Sequence, residues 1–178
     1  MNRLKKESYF NSGFTLALIV SLLITFTVWI FGSYQAFLSS NETVSEAVSE
    51  WHNIASQTQT WQSIFFHNLK VTCLLIVPLI GIFWWVFIAT SNGFLIGALA
   101  AYYKISPIIL TVKLWANPVG VFEMGAYILM FAENIYTCSL TLKGKALKRI
   151  KNHYWKTIIL YVVMLFIAAN IEIQLITT

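Results

Sequence analysis

Three carboxylates interrupt sequence that is otherwise apolar enough to lie in a lipid bilayer: Glu123, Glu133 and Glu172. Burying an ionised group in hydrocarbon is costly, so such residues usually face protein or water and serve a function. They can hold helices together by hydrogen bonds, line a path for a substrate or proton, or bind a partner helix. The residues alone leave these three roles open.

Four further polar side chains lie near the carboxylates along the chain or on their expected side of the membrane: Asn134, Asn170, His67 and Asn68. Asn134 follows Glu133, and Asn170 comes shortly before Glu172. A side-chain amide has two N–H donors, so either asparagine can serve a carboxylate. We therefore group these residues with the carboxylates as candidates for contact with a partner or substrate.

The usual catalytic motifs are absent from the sequence, which has no HExxH, no GxSxG and no Asp. The histidines, His52, His67 and His153, are scattered over both expected sides of the membrane, so no serine or cysteine has an evident histidine partner. Cys73 and Cys138 lie alone in apolar runs, which is typical of small packing residues. We therefore expect a protein that is not an enzyme and that uses no metal or cofactor.

Composition indicates an all-α integral membrane protein. Of the 178 residues, 58% are hydrophobic and 11% charged, too few charges to cover a soluble domain. Most basic residues form two patches beside apolar segments: Arg3, Lys5, Lys6, Lys143, Lys145, Lys148, Arg149, Lys151 and Lys156. Such patches are typical of cytoplasmic loops, and this placement argues against nucleic acid as a partner.

The length allows about five transmembrane helices in a single membrane domain. After a basic N-terminus at 1–13, the predicted spans are 14–38, 67–91, 92–112, 118–142 and 157–176, with a basic loop at 143–156. Both basic patches lie in the cytoplasm if two crossings separate residues 90 and 143, and the C-terminus is then extracellular. The alternative is that the third and fourth segments are re-entrant half-helices. Pro78 and Gly81 predict a kink in the second span.

The segment 39–66 is predicted to be an outer amphipathic helix. Its apolar residues recur at helical spacing: Val44, Ala47, Val48, Trp51, Ile54 and Ala55. Acidic residues recur every fourth position on another face: Glu42, Glu46 and Glu50. The segment has no Lys or Arg, so it does not suit anionic lipid. It can rest on its own protein, or it can bind a cationic peptide.

Small residues predict where helices pack and begin. Gly93, Gly97 and Ala101 are spaced by four, so one helix face allows another backbone to approach closely. Pro118 and Gly120 predict a helix start, which would put Glu123 in the first turn, where free N–H groups stabilise negative charge. Glu133 lies ten residues further on and no helix start explains it.

Two stretches resemble the stage II sporulation protein M family. In that family an Asn-containing entry leads to a span that ends in Asn-Gly, with another Gly four residues on; here these are Asn68, Asn92, Gly93 and Gly97. The family's Pro-His-Gly stretch with a following Glu is matched by Pro118, Gly120, Glu123 and Ala126, with Met124 in place of Leu. The closing Ala-Ala…Glu is matched by Ala168, Ala169 and Glu172. Val119 replaces the family His, and Gly125 replaces a Pro.

The resemblance, which covers about residues 66–176, implies a non-enzymatic accessory or scaffold protein of the bacterial plasma membrane. Sporulation members act as scaffolds for wall-degrading partners, and similar small proteins serve export of, or immunity to, circular bacteriocins beside an ABC transporter. We favour the second role, because the chain is short and a cationic peptide would suit Glu42, Glu46 and Glu50. A transporter or channel subunit that uses the intramembrane carboxylates is the alternative, and homo-oligomerisation stays open.

Overall fold

The computed structural model describes residues 9–57 and 60–177, and every regular element within them is helical. In chain order the elements are α1 (Ser12–Phe37), α2 (Asn41–Gln57), α3 (Trp61–Val71), a 3₁₀ turn (Cys73–Ile76), α4 (Ile80–Tyr102), α5 (Pro107–Ala116), α6 (Pro118–Thr141), α7 (Ala146–Arg149), a π turn (Ile150–Tyr154) and α8 (Trp155–Thr177). The predicted N-terminal basic patch, Arg3, Lys5 and Lys6, lies outside the described residues.

The predicted all-α class, with long apolar helices, is confirmed. Three helical stretches are long and apolar enough to cross a membrane: α1, α4 and the continuous stretch Ala146–Ile176. Helices α5 and α6 pass the same test as a pair, although the chain bends by 89° between them. By length and composition the described part of the chain therefore has three such helices, or four if the bent pair is one span.

The division between the predicted second and third segments is wrong. Its boundary, at residues 91 and 92, falls in the middle of α4. The helical chain is instead broken at Pro78, between α3 and α4. There Leu79 adopts a φ of 66° in a tight turn, which a 2.8 Å hydrogen bond from the Ile80 N–H to the Pro78 carbonyl closes. The predicted kink at Pro78 and Gly81 coincides with this break. Because apolar residues continue on both sides of it, hydropathy did not reveal the true boundary.

Helices α1 and α4 run parallel in close contact. The Trp85 indole donates to the Thr25 hydroxyl at 2.8 Å, and the Ser33 hydroxyl donates to the Gly93 carbonyl at 2.9 Å, so residue numbers rise together along both helices. A side chain at Gly93 or Gly97 would overlap backbone of α1. The absence of a Cβ at these two positions is therefore what lets the backbones approach. Ala101, one turn further, is half-buried against the same core.

Helix α6 is the buried centre of the bundle and lies between α1 and α8. From Ala126 to Asn134 every residue of α6 is buried. The Ser21 hydroxyl of α1 donates to the Ile128 carbonyl at 3.0 Å. Helix α3 lies along α8 in the opposite direction, as contacts between Trp61 and Phe166 and between Thr72 and Tyr161 indicate.

Helix α2 packs on α4 by the first half of its apolar face. Val44 and Val48 are buried, whereas Trp51 and Ile54 are each 37% exposed and line a groove against α4. Ala55 is exposed, and so are the three acidic residues, Glu42, Glu46 and Glu50. The amphipathic helix is therefore shorter than the predicted segment 39–66, because the residues from Trp61 onward belong to α3.

Candidate functional site

A cavity of about 460 Å³ lies between six helices, at the end of the bundle opposite the basic loop. We call it the acidic cavity. Its polar lining consists of Asn92, Asn117, Glu123, Tyr127 and Glu172. Its largest apolar walls are three indole rings, those of Trp29, Trp51 and Trp115. Carboxylates held against aromatic walls can bind a cation through charge and through the ring faces.

The corner between α5 and α6 places Glu123 in the cavity wall. The Asn117 side chain caps α6 by accepting from the Gly120 N–H at 2.8 Å. Gly120 lies so close to the Leu114 carbonyl that a Cβ would overlap it, which allows the sharp bend. Since α6 begins at Pro118, Glu123 lies in its second turn, and the prediction of a first-turn position is wrong. The amide of Asn117 therefore caps the helix, and the Glu123 carboxylate is left to face the cavity.

The acidic cavity has two carboxyl side chains in its lining, those of Glu123 and Glu172. Among the described residues that line it, none is Lys, Arg or His. The Tyr127 hydroxyl donates to Glu123 Oε1 at 2.9 Å, one helical turn away. Two buried indole N–H groups, on Trp29 and Trp115, have no hydrogen-bond acceptor within the described part of the chain. The cavity therefore offers carboxylate oxygens as hydrogen-bond acceptors.

Glu133 is not part of the acidic cavity and instead forms a buried ion pair. Its side chain is fully buried, and Arg149 donates to both of its carboxylate oxygens at 2.7 Å. The Thr157 hydroxyl adds a third bond, at 2.9 Å. The guanidinium also lies 5.0 Å from the ring centres of three aromatic residues, namely Tyr9, Phe14 and Tyr136. This carboxylate joins α6 to the chain that leads into α8, which corresponds to the interhelical role among the three alternatives.

The predicted assignment of Arg149 to a basic loop needs correction. Arg149 ends α7 and is 4% exposed, and its Nη1 donates to the Tyr9 carbonyl at 3.1 Å. Burial also raises the pKa of the Tyr9 phenol, which shares a 2.6 Å bond with Thr157. A buried carboxylate such as Glu133 needs a counter-charge. The predicted loop has several basic residues, however, so the sequence does not indicate that Arg149 is the one that pairs with it.

The asparagines do not donate to the carboxylates as expected. The Asn134 amide donates to the Leu75 carbonyl at 2.7 Å and accepts from the Tyr154 hydroxyl at 2.6 Å, so it closes the break before α4. The Asn170 amide donates to the Phe166 carbonyl within α8 at 2.8 Å. His67 and Asn68 lie on α3 and do not line the acidic cavity. Of the predicted polar candidates, the cavity thus brings together only Glu123 and Glu172.

The motif residues of the sequence are distributed around the cavity and its supports. Asn92, Gly120 and Val119 line it, and Val119 is the residue that replaces the family His. Pro118 begins α6, and Ala126 is fully buried. The sequence does not predict that the three tryptophans and Tyr127 line a cavity. Aromatic residues are common in membrane segments, and the spacing of these four does not distinguish them from the others.

The two cysteines do not form a disulfide with each other, and the described side chains that could bind a metal ion are not grouped together. Cys73 is exposed at the start of the 3₁₀ turn, which differs from the packing role expected for it, and Cys138 is half-buried. Both are free thiols. Within residues 9–57 and 60–177, no group of three or more His, Cys, Asp or Glu side chains is placed to hold a metal ion.

Comparison with known proteins gives one match. The model of a family described as Stage II sporulation protein M matches residues 14–174 of the chain. No curated protein and no solved structure matches it. The matched range contains Glu123, Glu133 and Glu172, and it includes the lining of the acidic cavity except for Leu175 and Ile176.

Proposed function

The chain belongs to the stage II sporulation protein M family, and from that premise we propose that it is a non-enzymatic membrane accessory protein that binds a cationic peptide. The observation that carries this proposal is the acidic cavity. Glu123 and Glu172 both line it, and none of the described lining residues is basic. Carboxylates in a cleft with low-dielectric walls concentrate their field and attract cations.

A peptide suits the cavity better than a simple metal cation does. The indole rings of Trp29 and Trp115 offer apolar surface to a peptide side chain, and the two carboxylates can accept from a Lys or Arg side chain. A volume of about 460 Å³ holds one or two side chains and no folded domain. The rest of an amphipathic peptide would lie along the membrane surface, next to the exposed acidic face formed by Glu42, Glu46 and Glu50.

In this proposal the protein works in the plasma membrane of a bacterium, in export of or immunity to a cationic peptide of the circular bacteriocin kind, beside an ABC transporter. The cavity's charge and the family membership support this role. A scaffold for wall-remodelling partners during sporulation is the related alternative. There the occupant of the cavity would be a basic segment of the partner protein.

We propose five membrane crossings, with the N-terminus in the cytoplasm and the C-terminus outside. Because α1 and α4 are parallel, the chain must cross the membrane in the opposite direction between them. Helix α3 and the 3₁₀ turn that follows it, which run antiparallel to α8, make this return crossing. Helix α3 has 11 residues, about 16 Å, so this crossing would be broken and shorter than a hydrocarbon core of about 30 Å. The bent pair α5 and α6 makes the fourth crossing and α8 the fifth. In this arrangement the acidic cavity and α2 lie on the outer side.

The alternative from another class is a transporter or channel subunit. A polar path along all three carboxylates is disfavoured, because Glu133 is enclosed by Arg149 and Thr157 instead of lining the cavity. Flux through reconstituted protein would support this alternative if Glu123→Gln abolished it. Equal flux for the wild type and the variant would remove Glu123 from any transport path.

Peptide binding to protein in phosphatidylcholine nanodiscs tests the proposed function. The probe is a fluorescent, lysine-rich amphipathic peptide, and the test variant combines Glu123→Gln with Glu172→Gln. We expect its affinity to fall about tenfold or more, which is about 1.4 kcal/mol. The matched control combines Glu42→Gln with Glu46→Gln, which removes equal charge from an exposed face and should cost less, since exposed pairs contribute about 0–1 kcal/mol. Unchanged affinity in the test variant would overturn the proposal.

A cellular experiment tests the bacteriocin role separately. The gene is deleted in a producing strain, and both the export of the peptide and the sensitivity of the strain to added peptide are measured. We expect a loss of at least one of these. If neither changes, the bacteriocin role is wrong, even where purified protein binds the probe.

A further inference from the structure

A second cavity, of about 400 Å³, lies at the basic end of the bundle and has the opposite charge. It is lined by the start of α1 at Asn11–Gly13, by Tyr136 and Leu140 of α6, and by the chain from Lys143 to His153. Lys143 and Lys145 bring positive charge from exposed positions, and none of the described residues in the lining is a carboxylate. The charge of Arg149 is already matched by Glu133. The positive charge offered to a ligand therefore comes from Lys143 and Lys145.

An apolar groove of about 500 Å³ lies on the same side of α6, towards the middle of the bundle. Its floor is Gly125, Ile128 and Leu129 of α6, its walls are Leu18, Ile19 and Leu22 of α1 and Met164 of α8, and Phe10 lines it as well. In α6, residues 125, 129, 136 and 140 lie on one face, since their spacings are four, seven and four. The basic cavity and the apolar groove therefore lie along one face of α6, separated by buried aromatic packing, and we call this strip of surface the furrow.

The length of the furrow corresponds to one lipid leaflet. From residue 125 to residue 140 a helix rises about 22 Å, and one leaflet with its headgroups is about 20–22 Å thick. Between the two parts lies the aromatic cluster of Tyr9, Phe14 and Tyr136 around Arg149. Phe10 extends from this cluster and is 60% exposed. The polarity thus changes once along the furrow, from basic to apolar, as it does along a phospholipid with an anionic headgroup.

We propose that this furrow binds an anionic phospholipid, with the headgroup phosphate on Lys143 and Lys145 and one acyl chain in the apolar groove. Lysine ammonium groups bind phosphate through charge, and basic pockets at a membrane interface recognise anionic headgroups. A free phosphate ion would use the basic cavity alone. The apolar groove is what distinguishes the lipid from the ion. This site is separate from the acidic cavity and does not depend on the proposed function.

Native mass spectrometry of the full-length protein with added lipid tests the headgroup contact. We expect the wild type to retain phosphatidylglycerol about tenfold more than phosphatidylcholine, and the variant Lys143→Gln with Lys145→Gln to lose this preference. The matched control, Lys151→Gln with Lys156→Gln, removes equal charge from exposed positions outside the cavity and should keep it. Equal retention of both lipids by the wild type, or equal loss in both variants, would overturn the proposal.

A second pair of variants tests the acyl-chain contact. Leu22→Trp fills the groove, whereas Leu23→Trp adds the same ring at the neighbouring position, which is 61% exposed and does not line it. We expect only Leu22→Trp to lower phosphatidylglycerol retention. No loss with Leu22→Trp, or displacement of the lipid by inorganic phosphate at millimolar concentration, would show an ion site or general surface attraction instead. Thermal melting of each variant verifies that the protein is folded.

Discussion

Helix α6 carries two carboxylates ten residues apart, and their surroundings are opposite. Glu133 is fully buried and receives hydrogen bonds from Arg149 and Thr157. Glu123 is half-buried at the edge of a cavity, where Tyr127 donates to it and no basic residue lines the wall. The two side chains have the same chemistry and lie in the same helix, so the difference in charge pairing comes from what other parts of the chain bring to them.

The comparison teaches how to separate structural from functional charge in a membrane bundle. A carboxylate whose acceptor sites are all used by protein donors holds helices together. A carboxylate that faces open space keeps its capacity to bind something else. On this criterion Glu133 belongs to the fold and Glu123 to the candidate site.

The largest expected effect comes from breaking the ion pair. Glu133→Gln leaves the Arg149 charge buried without a counter-charge, and removing one partner of such a pair costs about 3–5 kcal/mol. Thermal unfolding in detergent should therefore shift strongly downward, with Lys151→Gln as an exposed control at the same end of the bundle. A Glu133→Gln variant that melts like the wild type would show that the pair does not stabilise the fold.

A smaller loss of stability is expected from Tyr154→Phe. Its hydroxyl oxygen lies 2.7 Å from the Ile76 carbonyl and 2.6 Å from the Asn134 Oδ1, and its one hydrogen is shared between these two acceptors. Leaving buried acceptors unpaired costs about 1–3 kcal/mol. The control is Tyr102→Phe, since that residue is 55% exposed. The same detergent melting measures both variants, and equal melting temperatures would show that the Tyr154 hydroxyl does not stabilise the fold.

For Glu123→Gln we expect the reverse pattern, with little change in stability and a clear change in binding. The substitution keeps the volume and weakens one hydrogen bond, from Tyr127, which contributes about 0.5–1.5 kcal/mol. Its melting temperature should lie near that of the wild type while its affinity for the cationic peptide falls. If Glu123→Gln unfolds as easily as Glu133→Gln, the distinction between the two carboxylates is wrong.

The smallest effect is expected from Val119→His, which puts the family's residue back into the cavity wall. Histidine has an ordinary pKa of about 6.5, so it adds positive charge near Glu123 at pH 5.5 and almost none at pH 7.5. The variant should therefore bind the cationic peptide a few-fold more weakly than the wild type at pH 5.5 and about equally at pH 7.5. Val119→Asn controls for polarity. An affinity ratio that does not vary with pH would place the residue 119 side chain outside the binding contact.

Much of the fold could be predicted from local patterns. The helix start at Pro118, the bounds of α1 within two residues and the glycine face of α4 all depend on neighbours in the chain or on one helix face. The boundary at residues 91 and 92 failed because the break before α4 lies inside apolar sequence and is held by distant groups. Those groups are the Asn134 amide and the Tyr154 hydroxyl, which bind backbone carbonyls of the 3₁₀ turn.

The sequence by itself determined the long apolar helices of this protein, its helical class, its family and the small-residue surface between α1 and α4. These follow from composition and from spacing along one helix. Only the tertiary structure decided that Glu133 pairs with Arg149, that Glu123 and Glu172 share a cavity, and that three tryptophans form its walls. The physical reason is that charge pairing and cavity lining depend on side chains that are far apart in the chain, and local spacing carries no information about which of several equivalent residues will meet.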